Sequence, residues 1–145
     1  MDELVAALKV YLGNAYQMYF HAHSFHWNVE GINFPQYHDF LGDIYEEVYG
    51  TVDDIAENIR KLGEYAPSNF TQLLAASSIS ETSIRGNSVP SMLQSLDAAN
   101  NEVMTSIRTA YKLAEGAGEI GLSNFLQDRY DQHAKLRWKI RSASK

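Results

Sequence analysis

Apolar residues recur three and four positions apart over two long stretches of the N-terminal half, which is the spacing of helices with one buried face. The first stretch, residues 4–27, predicts helix one, and Gly31 interrupts it. The second stretch, residues 34–62, keeps the pattern over about eight turns, with Pro35 at a position suited to a first helical turn. Two long helices joined by a short turn are therefore predicted.

The C-terminal half repeats this arrangement after a long connection. Residues 63–87 are mostly polar and contain only one short apolar piece, residues 70–76, so they predict a crossover carrying a short helix. Pro90 opens a third helix that ends at Gly116, and residues 122–140 predict a fourth. Two helical hairpins linked by a long crossover predict an all-α fold, a single ferritin-like four-helix bundle spanning residues 1–145. Topology alone does not determine function.

Composition narrows the chemistry. The chain has no cysteine, which excludes disulfides, thiolate zinc sites, iron–sulfur clusters and cysteine nucleophiles, so any metal must bind to oxygen or imidazole. The same absence indicates a cytoplasmic protein, and the sequence predicts neither a secretion signal nor a membrane span. A net charge of -6 disfavours a general nucleic-acid-binding surface and suits a protein that attracts cations.

Histidines and carboxylates cluster around the first turn and along helix two. Most single helical histidines or acids are solvated or structural, but the group as a whole suggests a metal site. The histidines are His21, His23, His26 and His38, and the acids are Asp39, Asp43, Glu46, Glu47, Asp53, Asp54 and Glu57.

Spacing predicts that this metal site lies between two chains. Asp53 and Glu57 are four residues apart and project from one side of a helix. His38 precedes Asp53 by about 22 Å of continuous helix, so these residues do not share an ion within one chain. If two such helices pack antiparallel across a two-fold axis, His38 of one chain meets both acids of the other. An intrasubunit di-iron centre built from Glu-x-x-His pairs is not expected, because that motif is absent from the sequence.

The pattern His26-Trp27-x3-Gly31-x2-Phe34-x3-His38, followed by Asp53-x3-Glu57, resembles the signature of the Dps family, the mini-ferritins. The resemblance continues through Leu62-Gly63-x3-Pro67 and Ser77-Ser78-Ile79. It implies two-fold dimers assembled into a dodecameric shell that oxidises Fe(II), typically with hydrogen peroxide, and stores the ferric mineral.

The resemblance also assigns roles to individual residues. It makes His26 and His38 the iron ligands of one subunit, and it makes Asp53 and Glu57 the ligands from the two-fold neighbour. Trp27 would be an oxidisable electron donor beside the site, with core packing as its plainer interpretation. Tyr45 and Tyr49 could also relay electrons, although their spacing does not require it.

Two positions depart from the family pattern. Gly42 stands where the family commonly has an aspartate, so the second iron position loses a ligand and weaker ferroxidase activity is expected. Asp43 is an alternative ligand, although a helix rotates it by about 100° from position 42. Asn58 replaces an arginine that often follows the glutamate, which changes a surface or pore ion pair.

Two other functions compete with iron oxidation. The first is DNA binding and compaction, which some members of the family achieve through a lysine-rich tail. No such N-terminal tail is expected here; the basic residues gather at the C-terminus, where complementing the helix dipole is the preferred interpretation. They are Lys135, Arg137, Lys139, Arg141 and Lys145. The second is a structural bundle that has lost its metal. His133 and Trp138 are predicted to be packing or surface residues rather than ligands.

Overall fold

The computed structural model describes residues 1–83 and 88–145, which form helices without any strand in those ranges. The helices are α1 (Asp2–Asn28), α2 (Phe34–Tyr49), α3 (Val52–Lys61), α4 (Phe70–Ala75), α5 (Val89–Gly116) and α6 (Ile120–Ala143). The predicted ferritin-like bundle, with a short helix in the crossover, is confirmed. Within the described residues, no helix is long and apolar enough to cross a membrane.

The prediction of one continuous helix over residues 34–62 is wrong, because the chain leaves regular α-helix at Gly50 and Thr51. The Thr51 hydroxyl donates a hydrogen bond to the Val48 carbonyl at 2.7 Å, and the Thr51 N–H bonds to the same carbonyl at 3.1 Å. A threonine side chain that bonds back to the preceding turn competes with regular helical hydrogen bonding. Both residues keep right-handed helical backbone angles, so the break is a tightened turn between α2 and α3.

Helix α1 is the central element, since it packs against α2, α3, α4 and α5, while α6 packs against α5. Its wide buried surface explains why the apolar pattern of this helix extends beyond one narrow stripe. The apolar α1 side chains that are fully shielded from solvent are Leu8, Tyr11, Ala15, Met18, Ala22 and Phe25.

The crossover is held against α1 by a close backbone approach and a polar network. At Gly13, an added Cβ would lie 2.8 Å from the Leu73 carbonyl oxygen, so only glycine permits this contact without a shift. The neighbouring Asn14 accepts hydrogen bonds from the Ser77 hydroxyl and the Ser78 N–H, each at 2.8 Å. The Ser78 hydroxyl also donates to Glu102 on α5. The last residues of the predicted crossover, 84–87, lie outside the described residues.

Candidate metal centre

The hairpin of α1 and α2 brings His26 and His38 face to face. Gly31 supplies the sharp turn between the helices with a φ of 128°, a backbone conformation that glycine adopts readily. The two imidazole rings stack with centroids 3.7 Å apart and an interplanar angle of 17°. The structure therefore places the two predicted histidine ligands of one chain side by side.

Reciprocal hydrogen bonds fix how these two rings can bind a metal. His26 Nδ1 lies 2.6 Å from the His38 carbonyl oxygen, and His38 Nδ1 lies 2.7 Å from the His26 carbonyl oxygen. A carbonyl only accepts hydrogen bonds, so each Nδ1 carries a proton, and in the neutral form of each ring the lone pair is then on Nε2. A metal-ligating histidine commonly has its other ring N–H held in this way.

The His26 ring packs directly over Gly42. A Cβ built at Gly42 would lie 3.2 Å from both Cε1 and Nδ1 of His26, a contact tight enough to make the ring give way. Gly42 is buried, whereas the neighbouring Asp43 is exposed. The missing aspartate and the position of His26 are therefore linked, because any side chain at position 42 competes with the ring for space.

The predicted acidic ligands lie elsewhere on the same chain. Asp53 and Glu57 are one turn apart on α3, and both are exposed. Over residues 1–83 and 88–145, no group of three or more histidines and acids could hold a metal within one chain. Neither Asp53 and Glu57 nor Asp43 completes such a group with the histidines of their own chain. The four-ligand site thus stays a prediction that requires a second copy.

Comparison with known proteins gives the family. A ferritin-like domain family matches residues 5–144. A "DNA protection during starvation protein" of Halobacterium salinarum is 28% identical over 127 residues, which are 88% of this chain and 70% of that relative. The crystal structure of a Dps protein from Vibrio cholerae O1 matches with a TM-score of 0.91 and 27% identity, covering 99% of this chain and 90% of that one. This chain is a ferritin-like protein of the Dps family.

Other matches agree with this placement. Antigen TpF1 of Treponema pallidum is 26% identical over 133 residues, 92% of this chain and 75% of that relative. The Vibrio cholerae structure is described as belonging to a broad superfamily of ferritin-like diiron-carboxylate proteins. Membership of the Dps family associates this chain with iron storage and protection.

This Dps-family chain also has aromatic contacts around the histidine pair that the sequence interpretation missed. His23, one turn before His26, stacks on Tyr45 with centroids 3.9 Å apart and lies 4.1 Å from Trp27. Burial, followed by the nearby His26, lowers the pKa of His23. Trp27 is 56% exposed, so within one chain it is not a core residue. Its role as an electron donor stays a prediction.

His133 lies apart from the metal centre, in the interior of the bundle. Its Nδ1 donates a hydrogen bond to the Asn100 side-chain oxygen at 2.7 Å, and the Asn100 amide donates to the His133 carbonyl at 3.0 Å. Burial, aided by the nearby Arg129, lowers the pKa of His133 to about 3. His133 is therefore a neutral packing residue, and Trp138 is a surface residue with 65% exposure, which agrees with the prediction that these two are packing or surface residues.

Proposed function

We propose that two copies of this chain form interfacial sites that oxidise Fe(II), with hydrogen peroxide as the oxidant, and that a closed shell of these dimers stores the ferric mineral. The observation that carries this proposal is the pair His26 and His38, whose Nδ1 atoms are both held by carbonyl oxygens. Both Nε2 lone pairs are thereby available to a metal ion. The dodecameric size of the shell follows from resemblance to the Dps family.

An exposed aromatic surface on and beside the α1–α2 hairpin supports assembly into dimers. Large apolar side chains exposed together commonly mark a protein interface. The exposed aromatic side chains in this region are Phe20, Trp27, Phe34, Tyr49 and Phe70. A two-fold contact through this surface would pair each histidine site with Asp53 and Glu57 of the neighbouring copy and would generate two identical sites.

The proposed ligands suit iron oxidation. Imidazole and carboxylate together bind Fe(II), and anionic oxygen favours the Fe(III) product. Peroxide accepts two electrons and two protons to give two waters, so two ferrous ions, or one ferrous ion and a protein donor, complete its reduction. The net charge of -6 would draw Fe(II) towards the shell. We place the protein in the cytoplasm, a reducing compartment that suits a chain without cysteine.

Gly42 sets the expected strength of the reaction. The glycine offers no side-chain ligand, and the His26 ring fills the space above it. One iron position would thus have more side-chain ligands than the other. We therefore expect this site to oxidise Fe(II) more slowly than a site with an aspartate at position 42.

The test is anaerobic loading of the purified protein with Fe(II), followed by peroxide, with ferric absorbance recorded and particle size measured by light scattering. Oxidation that is faster than in buffer, takes place on a dodecamer and is lost in His38→Ala and Asp53→Ala is the expected result. Asp54→Ala is the matched control, because Asp54 is also an exposed acid on α3 but is turned by about 100° from Asp53. Oxidation no faster than in buffer, or equal loss in the control, would contradict the proposal.

The two competing functions predict different results. DNA compaction predicts salt-dependent gel retardation by the C-terminal basic residues. One of these residues, Arg141, already forms an ion pair with Asp97 at 3.2 Å, which leaves less free positive charge on α6. A structural bundle without a metal predicts that His26→Ala and Asp53→Ala leave iron handling unchanged.

A further inference from the structure

Tyr19 and His23 form a hydrogen-bonded pair beside the histidine site. The Tyr19 hydroxyl lies 2.9 Å from His23 Nδ1, and the residues are four apart on α1, so they share one face of the helix. Both side chains are only partly buried. A phenol hydrogen-bonded to an imidazole has a proton acceptor already in place when it loses an electron.

A continuous set of ring contacts links this pair to the proposed iron ligand. From Tyr19 the next ring is His23, at 5.4 Å between centroids, and His23 stacks on Tyr45 with an interplanar angle of 9°. The Tyr45 ring lies 5.2 Å from His26. Rings in contact give an electron a short path between Tyr19 and a metal held by His26.

The contacts continue on the other side of Tyr19, away from the histidine site. The Tyr49 ring lies 4.7 Å from Tyr19, and the Tyr16 ring lies 5.3 Å from it. An oxidised Tyr19 therefore has neighbouring phenols over which the radical can be shared. Trp27 also contacts His23, but it is 56% exposed and would hold an unpaired electron close to solvent.

We infer that Tyr19 is an electron donor to the iron site and that His23 is the acceptor of its proton. This inference rests on the proposed function. When one peroxide meets one Fe(II), the metal supplies one electron and becomes Fe(III), and Tyr19 supplies the second. The phenol O–H bond breaks, its proton moves to His23 Nδ1, and Tyr19 becomes a neutral phenoxyl radical. Peroxide takes these two electrons, together with two H+ ions from the solvent, and its O–O bond breaks to give two water molecules.

This role gives Tyr19 a specific purpose at an iron site weakened by Gly42. If only one iron position is filled, a single Fe(II) would reduce peroxide by one electron and release a hydroxyl radical. A second electron from Tyr19 would complete the reduction within the protein. The radical would then lie on a phenol with a hydrogen-bonded base.

The first test needs no iron. The metal-free protein is oxidised by a photogenerated one-electron oxidant, and the radical is recorded by electron paramagnetic resonance. We expect a phenoxyl signal that Tyr19→Phe largely removes, whereas Tyr65→Phe, which changes an exposed tyrosine outside the ring contacts, retains it. His23→Phe, which keeps an aromatic ring against Tyr45 but has no base, should also lower the signal. Equal signals in Tyr19→Phe and Tyr65→Phe would overturn the inference.

The second test adds one Fe(II) per site and one peroxide in a single turnover. Ferric absorbance with a phenoxyl signal that depends on Tyr19 would support both proposals. Ferric absorbance without that signal would overturn the inference and leave the ferroxidase proposal standing. Absence of ferric absorbance would contradict the proposed function, and the metal-free measurement would still decide whether Tyr19 is the preferred donor.

Discussion

Replacing Gly13 by alanine tests how the crossover is held against α1. The new Cβ would meet three backbone atoms, the Leu73 carbonyl oxygen at 2.8 Å and the Ser77 N and Cα at 3.1 and 3.3 Å. Backbone atoms do not rotate away as a side chain does, so the crossover must shift. Such overpacking costs roughly 1–3 kcal/mol, and a shift also weakens the hydrogen bonds of Asn14, at about 1 kcal/mol each.

Alanine also has a higher helix propensity than glycine, by about 1 kcal/mol, which offsets part of this loss. The expected net destabilisation of Gly13→Ala is about 1–2 kcal/mol, equivalent to a Tm lower by roughly 2–8 °C for a chain of this size. Gly121→Ala is the matched control, because Gly121 is also helical but an added Cβ there meets nothing within 4 Å. That control should raise the Tm by a few degrees.

The assay is thermal unfolding of both variants by circular dichroism, at one fixed protein concentration because the proposed assembly would make Tm depend on concentration. Opposite shifts of Tm are expected. A Gly13→Ala protein as stable as the Gly121→Ala protein would refute the account of the crossover.

Two further predictions concern His133 and Gly42. Because the pKa of His133 is lowered to about 3, its contribution to the free energy of unfolding is fully present above about pH 6.5 and is lost as the pH falls towards 3. Between pH 7.5 and 5, the free energy of unfolding measured with denaturant should fall by roughly 2 kcal/mol more for the native chain than for His133→Gln. Equal decreases in the two proteins would contradict this. Gly42→Ala should push the His26 ring aside and weaken Fe(II) binding roughly 10-fold, as measured by anaerobic titration calorimetry. Unchanged or tighter binding would show that the ring position does not matter.

Much of the fold follows from the apolar pattern, because long helices can be predicted from the spacing of their apolar residues and from the residues at their ends. The break between α2 and α3 could not be predicted in this way. The hydrophobic pattern continues through it, while the Thr51 hydroxyl bonds to the preceding turn. The burial of His133 did have a signal, because this residue lies seven positions from both Leu126 and Ile140, which are fully buried.

The candidate site was less predictable from sequence. The motif places His26 and His38 near each other. The Nδ1 of each histidine also bonds to the carbonyl oxygen of the other, and these two bonds depend on how the α1–α2 turn closes. Tyr19 and His23 are four apart, so a shared face could have been expected. Their hydrogen bond and the stacking on Tyr45 depend on the packing of α2 against α1.

The most direct test of the interfacial site is to mix two inactive variants. One subunit carries His26→Ala and His38→Ala, and the other carries Asp53→Ala and Glu57→Ala. After dissociation and reassembly at equal amounts, each mixed dimer has one intact site and one without ligands, so random pairing restores about a quarter of the wild-type sites. Recovery of about a quarter of the Fe(II) oxidation rate is the predicted result. No recovery, in a mixture shown to contain mixed dimers, would contradict a site shared between two subunits.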